Sequence, residues 1–156
     1  MTTDSIDALQ LLLERSTQER DRLAAEMRRA EEVCLRARRQ GQQLIDYRAE
    51  YLQRWNRQFG RGGAIEIVQC YQSFMQRLDE ALQQQQRQIE AAERQVETMR
   101  EALVRAEVRA ASVRKLIERQ QAERRKALDR RDQRHTDEVA QQAAQRRARG
   151  ALALQH

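Results

Sequence analysis

The strongest constraint in this sequence is a hydrophobic repeat of 3.5 residues that runs through two long segments on either side of one glycine cluster. Steps of three and four from Ile6 reach Leu9, Leu13, Ser16, Arg20, Leu23, Met27, Ala30, Cys34, Ala37, Gly41, Leu44, Arg48, Tyr51 and Trp55, and eleven of these fifteen positions are apolar. The same walk from Val68 reaches Tyr71, Met75, Leu78, Leu82, Gln85, Ile89, Ala92, Val96, Met99, Leu103, Ala106, Ala110, Val113 and Ile117, with Gln85 as the one polar position among fifteen. A period of 3.5 sustained over heptads winds two helices around each other, because it keeps one seam facing the partner. Each walk spans fifty residues, or about 75 Å of helix.

The only cluster of helix breakers is Gly60-Arg61-Gly62-Gly63, and the chain has no proline. Nothing else forces a helix to stop. Two seams of equal length on either side of one tight turn predict an all-α fold, a long antiparallel two-helix coiled-coil hairpin. Residues whose numbers sum to about 123 then lie level, so Trp55 faces Val68 and Met27 faces Val96. Composition agrees: 35% of residues are charged and only 4% aromatic, the profile of long helices rather than of a packed sheet.

The expected boundaries are helix 1 over about 4–58, a turn over 59–64 and helix 2 over 65–146, all within one hairpin spanning 1–156. Asp4 can cap helix 1 and Asp7 adds negative charge to its first turn. Gly60 is a natural left-handed stop, and Glu66 falls in the first turn of helix 2. Past Ile117 the walk meets Gln120, Arg124, Ala127, Arg131 and Arg134, so the seam ends and helix 2 continues as an overhang. An unpaired helix has only its propensity to hold it, and a frayed basic tail is expected over 147–156. Cys34 is a core residue level with Ile89, and Cys70 is about 28 Å further along the helix, too far for a disulfide.

Much chemistry is excluded. Both histidines, His135 and His156, lie in the tail, and no CxxC, HExxH, GxSxG or phosphate-loop pattern occurs. The carboxylates are interleaved with arginine as solvated i,i+4 pairs, and a two-helix coiled coil has no cavity to exclude water from a reaction. No enzyme activity, cofactor or metal is expected. No stretch is apolar enough to span a bilayer, and Met1 to Asp7 show no basic region leading into an apolar block, so a cytoplasmic protein is expected. Thirty Lys+Arg against 24 Asp+Glu give a net charge of +6. That suits either a solvated helix surface or an acidic partner.

Two features are candidates for binding. Near the turn, Leu44, Tyr47 and Tyr51 on helix 1 and Phe74, Leu78, Ala81 and Gln85 on helix 2 form a row that adjoins the seam, in which Tyr47 lies level with Phe74, Leu44 with Leu78 and Gln40 with Ala81. Such a row either widens the seam or leaves an aromatic patch outside as a docking site. In the tail, Arg124, Arg125, Lys126, Arg130, Arg131 and Arg134 either decorate a solvated overhang or meet an acidic surface. They lack interleaved aromatics for stacking on bases, which argues against nucleic acid.

At these residues the sequence resembles the FliJ family, the soluble coiled-coil component of the bacterial flagellar type III export apparatus. The resemblance rests on Leu44-Ile45-Asp46-Tyr47 with Glu50-Tyr51, on Tyr71-Gln72-Ser73-Phe74-Met75-Gln76-Arg77-Leu78, and on Asp132-Gln133, Asp137-Glu138, Ala140-Gln141 and Ala143-Ala144. It implies an antiparallel hairpin like the central stalk of rotary ATPases. Its open end would enter the hexameric export ATPase FliI and promote ring assembly. A patch on its surface would bind the linker of the membrane export-gate protein FlhA, and the protein would cycle export chaperones. The family's gate-binding patch falls on Gln40, Leu44, Tyr47, Tyr51, Phe74, Leu78 and Ala81. Its last position, a histidine in the best-known members, is Gln85 here, which removes a pH-sensitive charge. The tail arginines then become a possible contact to the ATPase ring. The resemblance also implies a cytoplasmic protein held at the inner face of the membrane by its partners. The alternatives are the equivalent stalk protein of a virulence secretion system and a basic coiled coil associated with nucleic acid.

Overall fold

A computed structural model describes residues 3–60 and 62–155. Two long helices pack against each other: α1, Thr3–Phe59, and α2, Ile65–Leu154. No strand occurs among the described residues. Their packing divides into two compact units, Ser16–Val108 and Met1–Arg15 with Arg109–His156. The sequence suggests a single hairpin without this division; on α1 the boundary falls at Ser16, the first polar position of its seam.

In the Ser16–Val108 unit the helices run antiparallel on both sides of the glycine turn. Tyr47 pairs with Phe74, Arg48 with Asp79 and Arg38 with Glu93, so later residues of α2 meet earlier residues of α1. In the other unit Ser5 Oγ donates a hydrogen bond of 3.2 Å to Gln120. The expected seam is the core: all thirty of its positions are buried or half-buried, and among the described residues every buried position lies on it. That core is one layer thick, and among the described residues no large side chain is completely enclosed. Most of the stabilisation therefore comes from many partial burials along the helices rather than from a few deep ones.

Gln85, the polar exception, is only 9% exposed. Its amide donates a 2.8 Å bond to the main-chain carbonyl of Ala37 and a longer one to Gln40. A buried amide left without a partner would be costly, and this bond removes that cost. Close approach makes it possible. Ala30, Cys34, Ala37 and Gly41 line this part of α1, and a Cβ on Gly41 would come within 3.0 Å of Ile89 Cδ1. Gly41, a potential kink by sequence, lies within continuous helix and serves as a contact point.

The turn differs from expectation in which glycine does what. The left-handed residue is Gly62, with φ of 122°, whose N–H donates to the Phe59 carbonyl at 3.2 Å. Gly60 is needed for space instead, since a Cβ there would collide with the Asn56 carbonyl oxygen. Arg61 of the expected turn lies outside the described residues. Ala64 accepts from the N–H groups of Ile67 and Val68 to open α2. At the other end Asp4 sits inside the first turn of α1, where its charge faces the helix dipole.

The helix end expected near Arg146 lies instead at Leu154. Ala148, Ala151, Leu152, Ala153 and Leu154 are good helix formers, and Gly150 alone costs only about 1 kcal/mol relative to Ala. His156 of the expected tail lies outside the described residues. Cys34 is buried and Cys70 exposed, both as free thiols. Under native conditions Cys70 is expected to react promptly with a thiol-specific disulfide reagent while Cys34 reacts only as the helices open. One fast and one slow equivalent in a stopped-flow trace would bear this out; two equal rates would contradict it.

Candidate docking surface

All six aromatic residues of the chain form one connected cluster in the Ser16–Val108 unit. Tyr47 meets Phe74 edge-on at 6.4 Å between ring centroids and stacks on Tyr51 at 6.5 Å. Tyr51 lies 4.4 Å from Phe74 and 5.8 Å from Tyr71, and Trp55 stacks on Tyr71 at 4.1 Å and lies 4.7 Å from Phe59. Offset and edge-on pairs of this kind add about 0.5–1.5 kcal/mol each beyond their buried area. The heptad walk puts Tyr51, Trp55 and Tyr71 in the seam, so the ladder fastens the helices next to the turn while Tyr47 stands on its edge.

The structure brings the predicted patch residues together but places them at different depths. Tyr47 is 47% exposed, and Gln40 is also exposed. Leu44, Tyr51, Phe74 and Ala81 are half-buried, whereas Leu78 and Gln85 are buried. Different members of the row thus play different parts: Leu78 and Gln85 belong to the seam itself, and Tyr47 with Gln40 presents a surface backed by Phe74. Gln85 has its amide committed to α1 and supports this surface from beneath.

The flanks of this unit differ in charge. Arg48 Nε donates to Asp79 at 2.8 Å, and Arg38 binds Glu93 at 3.0 Å. The bond to Glu93 raises the pKa of Arg38, which keeps its charge fixed at every physiological pH. On α1 itself Arg22 bridges Glu19 and Glu26, and these carboxylates raise its pKa as well. No such bridge occupies the Tyr47–Phe74 edge among the described residues.

In the other unit Arg124, Arg125, Lys126, Arg130, Arg131 and Arg134 are all exposed. Arg130, Arg131 and Arg134 lie beside His135 and Glu138 on one stretch of α2. Among the described residues there is no group of acidic, His or Cys side chains able to hold a metal ion, and no helix is long and apolar enough to cross a membrane.

A fold of two helices is shared by many unrelated proteins, and comparison decides between them. The family described as flagellar FliJ protein matches residues 5–149. The chain belongs to the FliJ family. A flagellar FliJ protein of Salmonella typhi is 33% identical over 143 residues, covering 92% of this chain and 95% of the relative. One of Escherichia coli strain K12 is 32% identical over the same length, with the same coverage. No solved structure matches the chain. The FliJ match extends over both units, so it takes in the aromatic cluster and the exposed arginines alike.

Sequence reasoning missed one member of the exposed surface. Val33, 50% exposed, stands two heptads before Tyr47 on the same flank of α1. The signal was present in the spacing Val33, Gln40, Tyr47, but a walk that follows only the seam does not read the positions beside it.

Proposed function

We propose that this FliJ-family chain is a non-enzymatic component of flagellar type III protein export that couples the export ATPase to the membrane export gate. The family match over residues 5–149 carries this reading. In it, the hexameric ATPase FliI receives the stalk-like end that holds Arg124, Arg125, Lys126, Arg130, Arg131 and Arg134, whose exposed charges suit an acidic ring surface. The linker of FlhA docks where Tyr47 stands exposed over Phe74. Export chaperones are released and rebound by the same protein, and membrane association is indirect, through these partners. The absence of nucleic-acid binding belongs to this reading too, since no exposed aromatic accompanies the tail arginines.

The test is retention of partners. The tagged full chain, incubated with the purified export ATPase and with the gate linker of the same cell, is expected to retain both; retention of neither rejects the reading. The tail is tested separately. Deleting the residues after Glu118 is expected to leave the Ser16–Val108 packing intact, as judged by circular dichroism, and to reduce stimulation of ATP hydrolysis at least about threefold by removing steering and contact charges. Full stimulation by the shortened chain would remove the arginines from the ATPase contact.

A further inference from the structure

The edge that carries Tyr47 continues as an uncharged strip. On α1 it passes through Val33, Gln40 and Tyr47, at heptad spacing. On α2 it passes through Phe74, Ala81, Gln88 and Gln95, again at heptad spacing. In a chain with 35% charged residues, seven flanking positions without a charge contrast with the opposite flank, which Arg38–Glu93 and Arg48–Asp79 close. Flanking positions of a two-helix coiled coil that face only water ordinarily carry Glu and Lys.

The strip is also concave at its far end. Ala30, Val33, Ala92, Gln95 and Met99 line a groove between the helices, with Glu26 and Arg29 at its end. Val33 lies about 21 Å from Tyr47 along α1, the length of about four helical turns. Charge returns at the ends, with Arg29 and Glu26 in the groove, the latter bound to Arg22, and Glu50 three residues past Tyr47, and along the rims. Arg36 is three residues past Val33 and four before Gln40, and Arg77 is three past Phe74 and four before Ala81, so each neighbours the strip on its own helix. Both are exposed, and neither is in an ion pair among the described residues.

We propose that this strip seats a third helix, an amphipathic segment of the partner with a narrow uncharged stripe against Val33, Tyr47 and Phe74 and with acidic residues facing Arg36 and Arg77. The inference rests on the docking site read above and lengthens it by Val33 and Met99. A groove between two helices accepts a helix by the same packing that joined the first two. The rims select its charge. A second copy of this chain laid on the strip by twofold symmetry would bring its own Arg36 and Arg77 against these arginines, and like charges facing each other are unfavourable.

The test is a titration of fluorescently labelled gate-linker peptide with the full chain, followed by anisotropy and by far-ultraviolet circular dichroism. Binding is expected to add helical signal beyond the sum of the two components. Val33→Asp, at a half-exposed site that leaves the fold intact, is expected to weaken binding about tenfold, as is Arg36→Glu with Arg77→Glu. The charge reversal is also expected to flatten the salt dependence. If these variants bind as the parent does while Tyr47→Ala with Phe74→Ala abolishes binding, the third-helix inference fails and the smaller site stands. If all three bind as the parent does, both fail. Binding without gain of helix overturns the class of partner. Loss of a dimer on Val33→Asp in sedimentation, with peptide affinity unchanged, would make the strip an interface between copies and overturn the proposal.

Discussion

Leu103→Asp is expected to lower the melting temperature by about 10 °C. Leu103 is a half-buried seam residue between Met99 and Ala106. Its replacement removes apolar area and puts a carboxylate where apolar contacts were, a combined cost of about 3 kcal/mol. The sequence register, in which level residues sum to about 123, sets Arg20 opposite it. Arg20 is only 33% exposed and binds the neighbouring Asp21 at 3.1 Å, so its guanidinium can turn to a new carboxylate. The loss should therefore deepen by about 1 kcal/mol when Arg20→Ala is added, beyond the sum of the single changes. Thermal melts followed at 222 nm measure both. A Leu103→Asp chain that melts within about 2 °C of the parent would show that Leu103 is not in the seam. Additive effects of the two changes would show that Arg20 does not face it.

The seam was legible because partial burial in a helix pair is imposed by a period, and a period survives substitutions such as Ser16 and Arg20. What the period could not convey is what a misfit residue does. Gln85 is a break in the pattern by sequence, yet its amide reaches the Ala37 carbonyl because small residues there let the helices approach. That bond joins residues 48 positions apart, and no local rule contains it. The glycines show the same limit: the cluster marked the turn, but whether Gly60 or Gly62 takes the left-handed conformation depends on how α1 ends against Asn56. At the C-terminal end the seam's loss was legible and the helix's length was not, since Leu154 ends a run held by propensity alone. The candidate surface was legible as a row of residues and not as a surface. Exposure separates Tyr47 from Leu78, and only the side-by-side arrangement of two helices sets exposure.

That separation determines how much Tyr47→Ala with Phe74→Ala should cost in export-gate binding. Tyr47 presents a rigid ring at the edge of the aromatic cluster, with an exposure of 47%. Phe74 holds that ring edge-on at 6.4 Å and is itself packed 4.4 Å from Tyr51. Aromatic anchors of this kind each contribute about 1–2 kcal/mol at a protein interface, so removing both should weaken gate-linker binding at least about 30-fold. The single changes should divide unequally. Tyr47→Ala removes contact surface with little effect on the fold, because the ring is on the edge. Phe74→Ala also removes the support beneath Tyr51, and should lower the melting temperature by about 3 °C as well as the affinity. Helicity at 222 nm should remain that of the parent in every case, since the seam from Leu23 to Ala37 and from Gln85 to Ala106 is untouched. Anisotropy titrations of the labelled linker read the affinities. If the double variant binds as tightly as the parent, the aromatic cluster is a fastening for the helices alone, and the export gate must contact this chain elsewhere.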